Sequence, residues 1–84
     1  KLNFKMELDV RGQRVNEAIE NVMHYVDDAV MLDVPSVRII HGKGTGALRE
    51  EIQKYLRTVP GVLSAKDESI QLGGSGVTVV TFDR

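Results

Sequence analysis

The segment SVRIIHGKGTG, residues 36–46, limits what this chain can fold into more than any other feature of its sequence. A short and almost wholly apolar run ends at His41, and three glycines then alternate with Lys43 and Thr45. Such a run predicts a buried strand of the kind found in parallel sheets. Because glycine loses more backbone entropy on folding than other residues, the loop indicates a demanding turn or a ligand that approaches the backbone closely.

Apolar periodicity predicts the remaining elements of the fold. Alternating apolar and charged side chains predict a half-buried strand, and apolar residues at helical spacing predict two amphipathic helices. Two further runs, the second rich in β-branched residues, predict strands. The predicted elements are a strand over residues 6–11, a helix over 15–30, a strand over 37–41, a helix over 47–59, and strands over 62–66 and 77–82.

The order β-α-β-α-β-β predicts an α/β fold, a two-layer sandwich in which a four-stranded sheet carries two helices on one face. Its first β-α-β unit predicts parallel strands joined by a right-handed crossover. A chain of 84 residues has room for one small domain, which we place at 1–84 with its core over about 6–83. Because the sequence begins at Lys1 rather than Met, we expect a domain excised from a longer chain.

Composition narrows the classes of function. The chain has no cysteine, which excludes disulfides and thiolate metal sites, and no apolar run approaches the roughly 18 residues of a membrane span. We therefore expect no membrane partner and a cytoplasmic location. The net charge of -1 is not that of a typical nucleic-acid binder, so contact with a polyanion requires local positive charge. Aromatic residues make up only 5%, which favours structure-selective backbone contacts over base stacking.

The two predicted parallel strands end alike, in LDVRG and RIIHG, before the chain enters a helix. Aligning these ends predicts that Arg11 and His41 occupy matching positions on neighbouring strands, with Asp9 on the same face as Arg11. Ligands of open α/β sheets bind at the carboxyl ends of the strands. Asp9, Arg11 and His41 are therefore candidate functional residues.

The HGKGTG loop is a candidate anion site, because a helix start offers unpaired N–H groups and a partial positive charge. Its lysine precedes the middle glycine, so the loop is not a Walker A motif. The candidate nucleic-acid-binding residues are Gly42, Lys43, Gly44, Thr45 and Gly46 in the loop, and the nearby cations Arg14 and Arg49. The alternative interpretation is a plain strand-to-helix turn with Thr45 as its N-cap.

With LDVRG, HGKGTG and GGSGVT in the same order, the chain resembles the Smr (small MutS-related) domain over residues 6–82. The stretch VRIIHGKGTGALRE is especially similar to the version at the C-terminus of second-type bacterial MutS proteins. This resemblance implies a parent ATPase domain in cis. It also implies a four-stranded mixed sheet like that of the C-terminal domain of bacterial translation initiation factor three.

The resemblance further implies nucleic-acid binding and nicking endonuclease activity on DNA or RNA, in recombination suppression or on ribosomes. The family's functional positions fall on Asp9, Arg11, His41 and the loop glycines. In the mechanism we expect, Lys43 and Arg11 stabilise charge on the phosphate and His41 moves protons. Three roles stay open for Asp9: it orients His41, fixes Arg11 or helps to hold a metal ion. The sequence shows no resident cofactor and no metal site; a divalent cation such as Mg²⁺ is expected only for DNA cleavage.

Two other classes of function stay open at this stage. The domain could be a non-catalytic module that binds branched DNA or ribosomal RNA for a parent ATPase. It could also be a small protein-interaction domain with an incidental anion site. Nucleic-acid binding that depends on salt would distinguish the binding module from the protein-interaction domain. Cleavage of nucleic acid would distinguish the endonuclease from both.

Overall fold

The computed structural model describes residues 3–83 of the chain. Its four strands and two helices follow the predicted order. They are β1 (Glu7–Asp9), α1 (Val15–Met31), β2 (Ser36–Ile40), α2 (Ala47–Leu56), β3 (Val62–Asp67) and β4 (Val77–Phe82). The predicted α/β class and helix–strand succession are thereby confirmed.

The sheet has the strand order β1-β2-β4-β3 and is mixed. β1 and β2 pair in parallel across the α1 crossover, while β4 lies antiparallel to both β2 and β3. β2 is therefore a central strand whose carboxyl end lies between the end of β1 and the start of β4. The glycine loop leaves the sheet at this point.

Both helices pack on one face of the sheet and enclose the apolar core. The side chains that point to the helices alternate along each strand, as the half-buried pattern requires. The core consists of Val10, Ala18, Val22, Val26, Ala29, Val37, Ile39, Ile52, Leu56, Ala65, Val80 and Phe82. Neither helix among residues 3–83 is long and apolar enough to cross a bilayer.

The structure differs from the sequence-based boundaries at several places. Strand β1 spans Glu7–Asp9 rather than residues 6–11, because the Arg11 N–H turns to Asp9 Oδ1 and Gln13 N–H donates to Val10 O in a turn. The bounds of α1, β2 and β3 differ from the predicted ones by one residue.

Helix α2 ends at Leu56 rather than at residue 59, because a turn follows in which Thr58 Oγ1 donates to Tyr55 O at 2.7 Å. The connection between β3 and β4 contains two short 3-10 turns, Ile70–Leu72 and Gly74–Gly76. These turns bring Gly76 beneath the glycine loop.

Candidate nucleic-acid interface

The register of β1 and β2 places Arg11 opposite Gly42 and not opposite His41. Asp9 pairs with Ile40, and the next amide, that of Val10, donates to Ile40 O at 2.9 Å. Val10 is thus the neighbour of His41, and both side chains point to the helix layer. Asp9 and Arg11 lie on the opposite face of the sheet, so the predicted match of Arg11 with His41 is wrong by one residue.

Asp9 and Arg11 form an exposed and closely bonded pair at the end of β1. Arg11 Nη2 lies 2.6 Å from Asp9 Oδ2, and both the Nε–H and the backbone N–H of Arg11 donate to Asp9 Oδ1 at 3.0 Å. The side-chain hydrogen bond from Arg11, followed by the backbone one, lowers the pKa of Asp9 from 3.8 to about 2. Asp9 therefore stays ionised at neutral pH and fixes the direction of the guanidinium.

His41 occupies a buried position at the end of β2, with 5% of its surface exposed. Both ring nitrogens have partners, because Nδ1 lies 3.0 Å from Gly42 O and Nε2 lies 2.7 Å from Thr78 Oγ1. Burial lowers the pKa of His41 below 6.5, which outweighs the opposing effects of Gly42 O and the Asp67 carboxylate. His41 is thus neutral at neutral pH, and its ring nitrogens are engaged inside the protein.

A chain of polar side chains that the sequence analysis missed continues from His41 under α2. Gln53 Nε2 donates to Thr78 Oγ1 and to Asp67 Oδ1, each at 3.0 Å, and Arg49 pairs with Asp67 at 2.7 Å. The threonine of the GGSGVT motif was the available signal, although the residue period could not show which face of β4 it occupies. Nothing in the sequence indicated Gln53 or Asp67 as its partners.

The glycine loop is held at its base and open at its tip. Gly76 O accepts from the amides of both His41 and Gly42, at 3.1 and 2.9 Å. A Cβ placed on Gly76 would lie 3.3 Å from Lys43 Cγ, which shows how closely the third glycine motif supports the loop. The base of the loop therefore depends on β4 as well as on β2.

The amides of Lys43, Gly44 and Thr45 donate to no acceptor within residues 3–83. Gly46, rather than Thr45, is the N-cap of α2, at φ +86°, a conformation that glycine adopts without strain. Thr45 instead uses Oγ1 to accept from Ala47 N–H at 3.3 Å. The loop tip and the first turn of α2 therefore present unpaired backbone donors, which is the arrangement that favours an anion.

A cavity of about 360 Å³ lies between this loop and the turn from β1 to α1. Its lining residues are Gly12, Gln13, Arg14, Val15, His41, Gly42, Lys43, Gly44, Thr45, Gly46, Ala47 and Leu48. Arg14 and Lys43 form no ion pair in the part of the chain that the structure describes. Arg14 is also the N-cap of α1 and makes no side-chain cap there. The cavity thus combines free amides with two uncompensated positive charges.

The predicted site residues divide into three groups around this cavity. The loop residues, Arg14 and His41 line it. Arg11 and the Asp9 bonded to it are not part of the lining but lie at the border of the cavity, since a Cβ on Gly42 would meet Arg11 Cγ at 3.5 Å. Arg49 lies outside the lining and is bound to Asp67, so the structure does not bring it to the loop.

The described residues do not fit a divalent-metal site built by the protein. They contain no group of three or more His, Asp or Glu side chains that could hold a metal ion. Asp9, at the end of β1, already accepts four hydrogen bonds from Arg11 at 2.6 to 3.2 Å. We therefore derive no chemical step through a protein-held ion.

A second cavity, of about 520 Å³, lies between the segment before β1 and helix α1. The stacked rings of Phe4 and Tyr25, with centroids 5.1 Å apart, form part of its wall. Its lining mixes Lys5 with the acidic residues Glu7 and Asp28 and contains none of the predicted site residues. The loop cavity therefore remains the better candidate for a polyanion.

Fold and site together define a two-layer α/β domain with an open glycine loop at the carboxyl ends of its parallel strands. The same architecture is found in the crystal structure of the Smr domain of Thermus thermophilus MutS2, with a TM-score of 0.91 and 41% identity over 95% of this chain and all of that one. The family model for the Smr domain matches residues 8–83. The chain belongs to the Smr family.

Relatives with curated descriptions extend this assignment. The chain is 48% identical over 78 residues to the Endonuclease MutS2 of Geobacillus thermodenitrificans and 51% identical to that of Bacillus cytotoxicus. These matches cover 93% of this chain but only 10% of each relative. YdaL, a stand-alone small MutS-related protein from Escherichia coli, shares the fold with a TM-score of 0.87 and 25% identity, over 94% of this chain and 65% of YdaL.

Proposed function

We propose that this domain binds the sugar–phosphate backbone of DNA or RNA at the HGKGTG loop and nicks the bound strand. One observation carries the proposal: free loop amides and two unpaired cations line the same cavity at the carboxyl ends of parallel strands. The relatives named Endonuclease MutS2 support the proposed nicking activity.

Binding would use the loop tip and the start of α2. A phosphate can accept hydrogen bonds from the free amides of Lys43, Gly44 and Thr45, while the side chains of Lys43 and Arg14 neutralise its charge. The contacts go to the backbone, so they carry structural rather than sequence preference. With a net charge of -1, the domain adds little long-range attraction, and its affinity alone should be modest and sensitive to salt.

Strand scission would use the groups at the end of β1. Arg11 lies against Gly42 and is aimed by Asp9, so it can stabilise negative charge that develops on a phosphate held by the loop. On RNA the neighbouring 2′-hydroxyl attacks the phosphorus while the bond from phosphorus to the 5′-oxygen breaks, which leaves a 2′,3′-cyclic phosphate and a 5′-hydroxyl. On DNA water attacks instead, one phosphorus–oxygen ester bond breaks, and the departing sugar oxygen takes up a proton to become a hydroxyl. The proton-transfer role predicted for His41 requires Nδ1 or Nε2 to leave its present partner, so the geometry favours a role in shaping the loop.

The setting of this activity is also part of the proposal. Since the chain spans about a tenth of the length of its curated relatives, we propose that it acts in a longer cytoplasmic protein with an ATPase domain in cis. Branched DNA in recombination suppression and structured RNA on the ribosome are the two substrates we propose for it.

A nicking assay on supercoiled plasmid and on structured RNA, with and without chelator, tests the proposal. We expect wild type to nick and Arg11→Ala to lose most of this activity while keeping its fold. Lys66→Ala, which removes an exposed cation on β3, is the matched control and should cut at the wild-type rate. If His41→Ala cuts as fast as wild type, the proton-transfer role of His41 is excluded.

A non-catalytic backbone-binding module is the second candidate, favoured by one observation. Both ring nitrogens of His41 are engaged and Asp9 is bonded to Arg11, so neither of these two candidate general bases is free. This candidate predicts binding that Lys43→Ala weakens, with no cleavage of either nucleic acid at any divalent-ion concentration. Retained binding with no nicking by wild type would select it over the endonuclease.

A further inference from the structure

A buried hydrogen-bonded chain connects a surface ion pair to the glycine loop. It runs from the Arg49–Asp67 pair through Gln53 and Thr78 to His41, and it draws its members from α2, β3, β4 and the end of β2. Gln53 and His41 are each 5% exposed and Thr78 is fully buried. Buried polar groups of this kind need every donor and acceptor satisfied, which fixes where each proton lies.

Asp67 determines which atom donates and which accepts at each step of this hydrogen-bonded chain. An ionised carboxylate only accepts hydrogen bonds, so the group of Gln53 that lies 3.0 Å from Asp67 Oδ1 must be the amide nitrogen. Arg57 Nη2 donates to the other end of this amide, Gln53 Oε1, at 3.3 Å, which supports the same orientation. The second hydrogen of the amide nitrogen then points to Thr78 Oγ1, also at 3.0 Å.

The same order of donor and acceptor continues from Thr78 to His41. The Thr78 oxygen accepts from Gln53, and no other acceptor for its hydroxyl hydrogen is found among residues 3–83, so this hydrogen is left for His41 Nε2, at 2.7 Å. Nε2 must then be the unprotonated nitrogen, and Nδ1 carries the hydrogen that is donated to Gly42 O at 3.0 Å. The neutral Nδ1–H tautomer is the only form of the ring that satisfies every member of the chain.

This tautomer matters because of the peptide bond that follows. In a trans peptide the carbonyl and the next N–H point in opposite directions. By holding Gly42 O, His41 turns the N–H of Lys43 away from itself, and that N–H is one of the free donors of the loop. The opposite tautomer would place a lone pair of Nδ1 against Gly42 O and would repel the carbonyl.

We infer that Asp67, acting through Gln53 and Thr78, fixes the tautomer of His41 together with the Gly42 carbonyl, and that Thr78 is thereby a positioning residue for the Lys43 amide. The importance of that amide for a ligand rests on the proposed function. The tautomer itself does not, and it can be measured without nucleic acid.

Long-range ¹H–¹⁵N correlation spectra of the 84-residue chain test the inference, because they distinguish the two neutral tautomers. The chain has two histidines, and the exposed His24 on α1 supplies a reference signal in the same spectrum. We expect the Nδ1–H pattern for His41 in wild type. In Thr78→Val we expect mixed tautomers and a shifted backbone amide signal of Lys43.

Three further variants complete the design. Thr81→Val removes the same hydroxyl from the opposite face of β4, where Thr81 bonds to Ser64, and should leave His41 and Lys43 unchanged. Thr78→Ser keeps the hydroxyl and should restore the wild-type pattern. Asp67→Asn changes the opposite end of the hydrogen-bonded chain, at a partly exposed position, and should give a mixture of His41 tautomers. This variant still tests the inference if Thr78→Val fails to fold.

Two results would overturn the inference: an Nε2–H tautomer in wild type, or a wild-type pattern for His41 and Lys43 in both Thr78→Val and Asp67→Asn. Titration with a structured RNA adds the functional half. Loss of one aimed donor should weaken binding about tenfold in Thr78→Val and leave Thr78→Ser and Thr81→Val near wild type. If wild type itself does not bind, the proposed function fails, and the tautomers still decide the inference.

Discussion

The carboxyl ends of β1 and β2 are neighbours in one parallel pair, yet they present their candidate site residues in opposite ways. At the end of β1, Asp9 and Arg11 bond to each other in solvent, with 47% and 62% of their side chains exposed. At the end of β2, His41 is buried and bonded on both sides. The difference follows from one residue of register, because successive side chains on a strand point to opposite faces. The exposed end is available for chemistry, and the buried end builds the loop.

The largest expected effect is a difference in unfolding free energy between a variant at the end of β2 and a variant at the end of β1. His41→Ala removes a buried ring and leaves Thr78 Oγ1 without one of its partners, which should cost about 2–4 kcal/mol of unfolding free energy. Arg11→Ala breaks only an exposed ion pair and should barely change the urea midpoint. Urea unfolding followed by circular dichroism measures both. Equal losses in the two variants would remove the distinction between a structural and a chemical strand end.

Much of the fold could be predicted because its signals are local. Helix α1 was predicted over 15–30 and runs over Val15–Met31, since a long apolar stripe at helical spacing has one interpretation. The β-branched run at 77–82 coincides with β4. The glycine loop was predicted for the same reason, because its residues are contiguous in sequence.

The rest of the site depends on register, which the sequence does not encode locally. In VTVVTF both faces of β4 carry threonine and apolar residues, so the period of two cannot tell that Thr78 faces the helices and Thr81 does not. The partner Asp67 lies on β3, which contains an irregular step between Val62 and Ser64. The hydrogen-bonded chain from His41 to Asp67 therefore cannot be predicted without the pairing of the strands.

The second prediction concerns chemistry at the exposed end. Arg11→Ala should lower the nicking rate about 10- to 100-fold, because an aimed guanidinium stabilises the phosphate charge mainly in the transition state. Binding at fixed salt should change much less, since Lys43 and the loop amides remain. Single-turnover nicking and fluorescence anisotropy on the same substrate separate the two quantities. A loss of affinity as large as the loss of rate would assign Arg11 to binding alone.

The third prediction concerns charge at the rim of the loop. Lys43→Ala should weaken binding several-fold on every sequence and reduce the slope of log K against log salt by about one, because one phosphate contact is lost. Lys54→Ala, an exposed cation on α2 away from the cavity, is the matched control. An unchanged slope in Lys43→Ala would mean that the polyanion does not pass over the loop tip.

The fourth prediction uses pH to distinguish the two ends. Because burial lowers the pKa of His41 below 6.5, the unfolded chain binds more protons than the folded one below that pH. Stability should be full above pH 6.5 and should fall on acidification, by at most about 1.4 kcal/mol per pH unit. The Asp9–Arg11 pair should lose its contribution only between pH 3.8 and about 2.

Urea unfolding at pH 7.5, 6.5 and 5.5, in wild type and in His41→Gln, isolates the histidine contribution. His24 and the carboxylates are common to both proteins, so the difference between their curves belongs to His41. A wild-type stability that rises between pH 6.5 and 5.5 relative to the variant would show that the ring gains a proton in the folded state, which contradicts the burial argument.

The smallest expected effect tests the contact between Gly76 and the glycine loop at the end of β2. Gly76→Ala needs no unusual backbone angle, but its Cβ would lie 3.3 Å from Lys43 Cγ and 3.5 Å from Gly42 C, so the loop must move by a few tenths of an ångström. We expect nucleic-acid affinity to fall a few-fold with little change in stability. Ser75→Ala is the control, because Ser75 is an exposed residue of the same 3-10 turn and lies outside the lining of the cavity. If both variants bind like wild type, the loop does not depend on its contact with β4, and the two strand ends differ in burial alone.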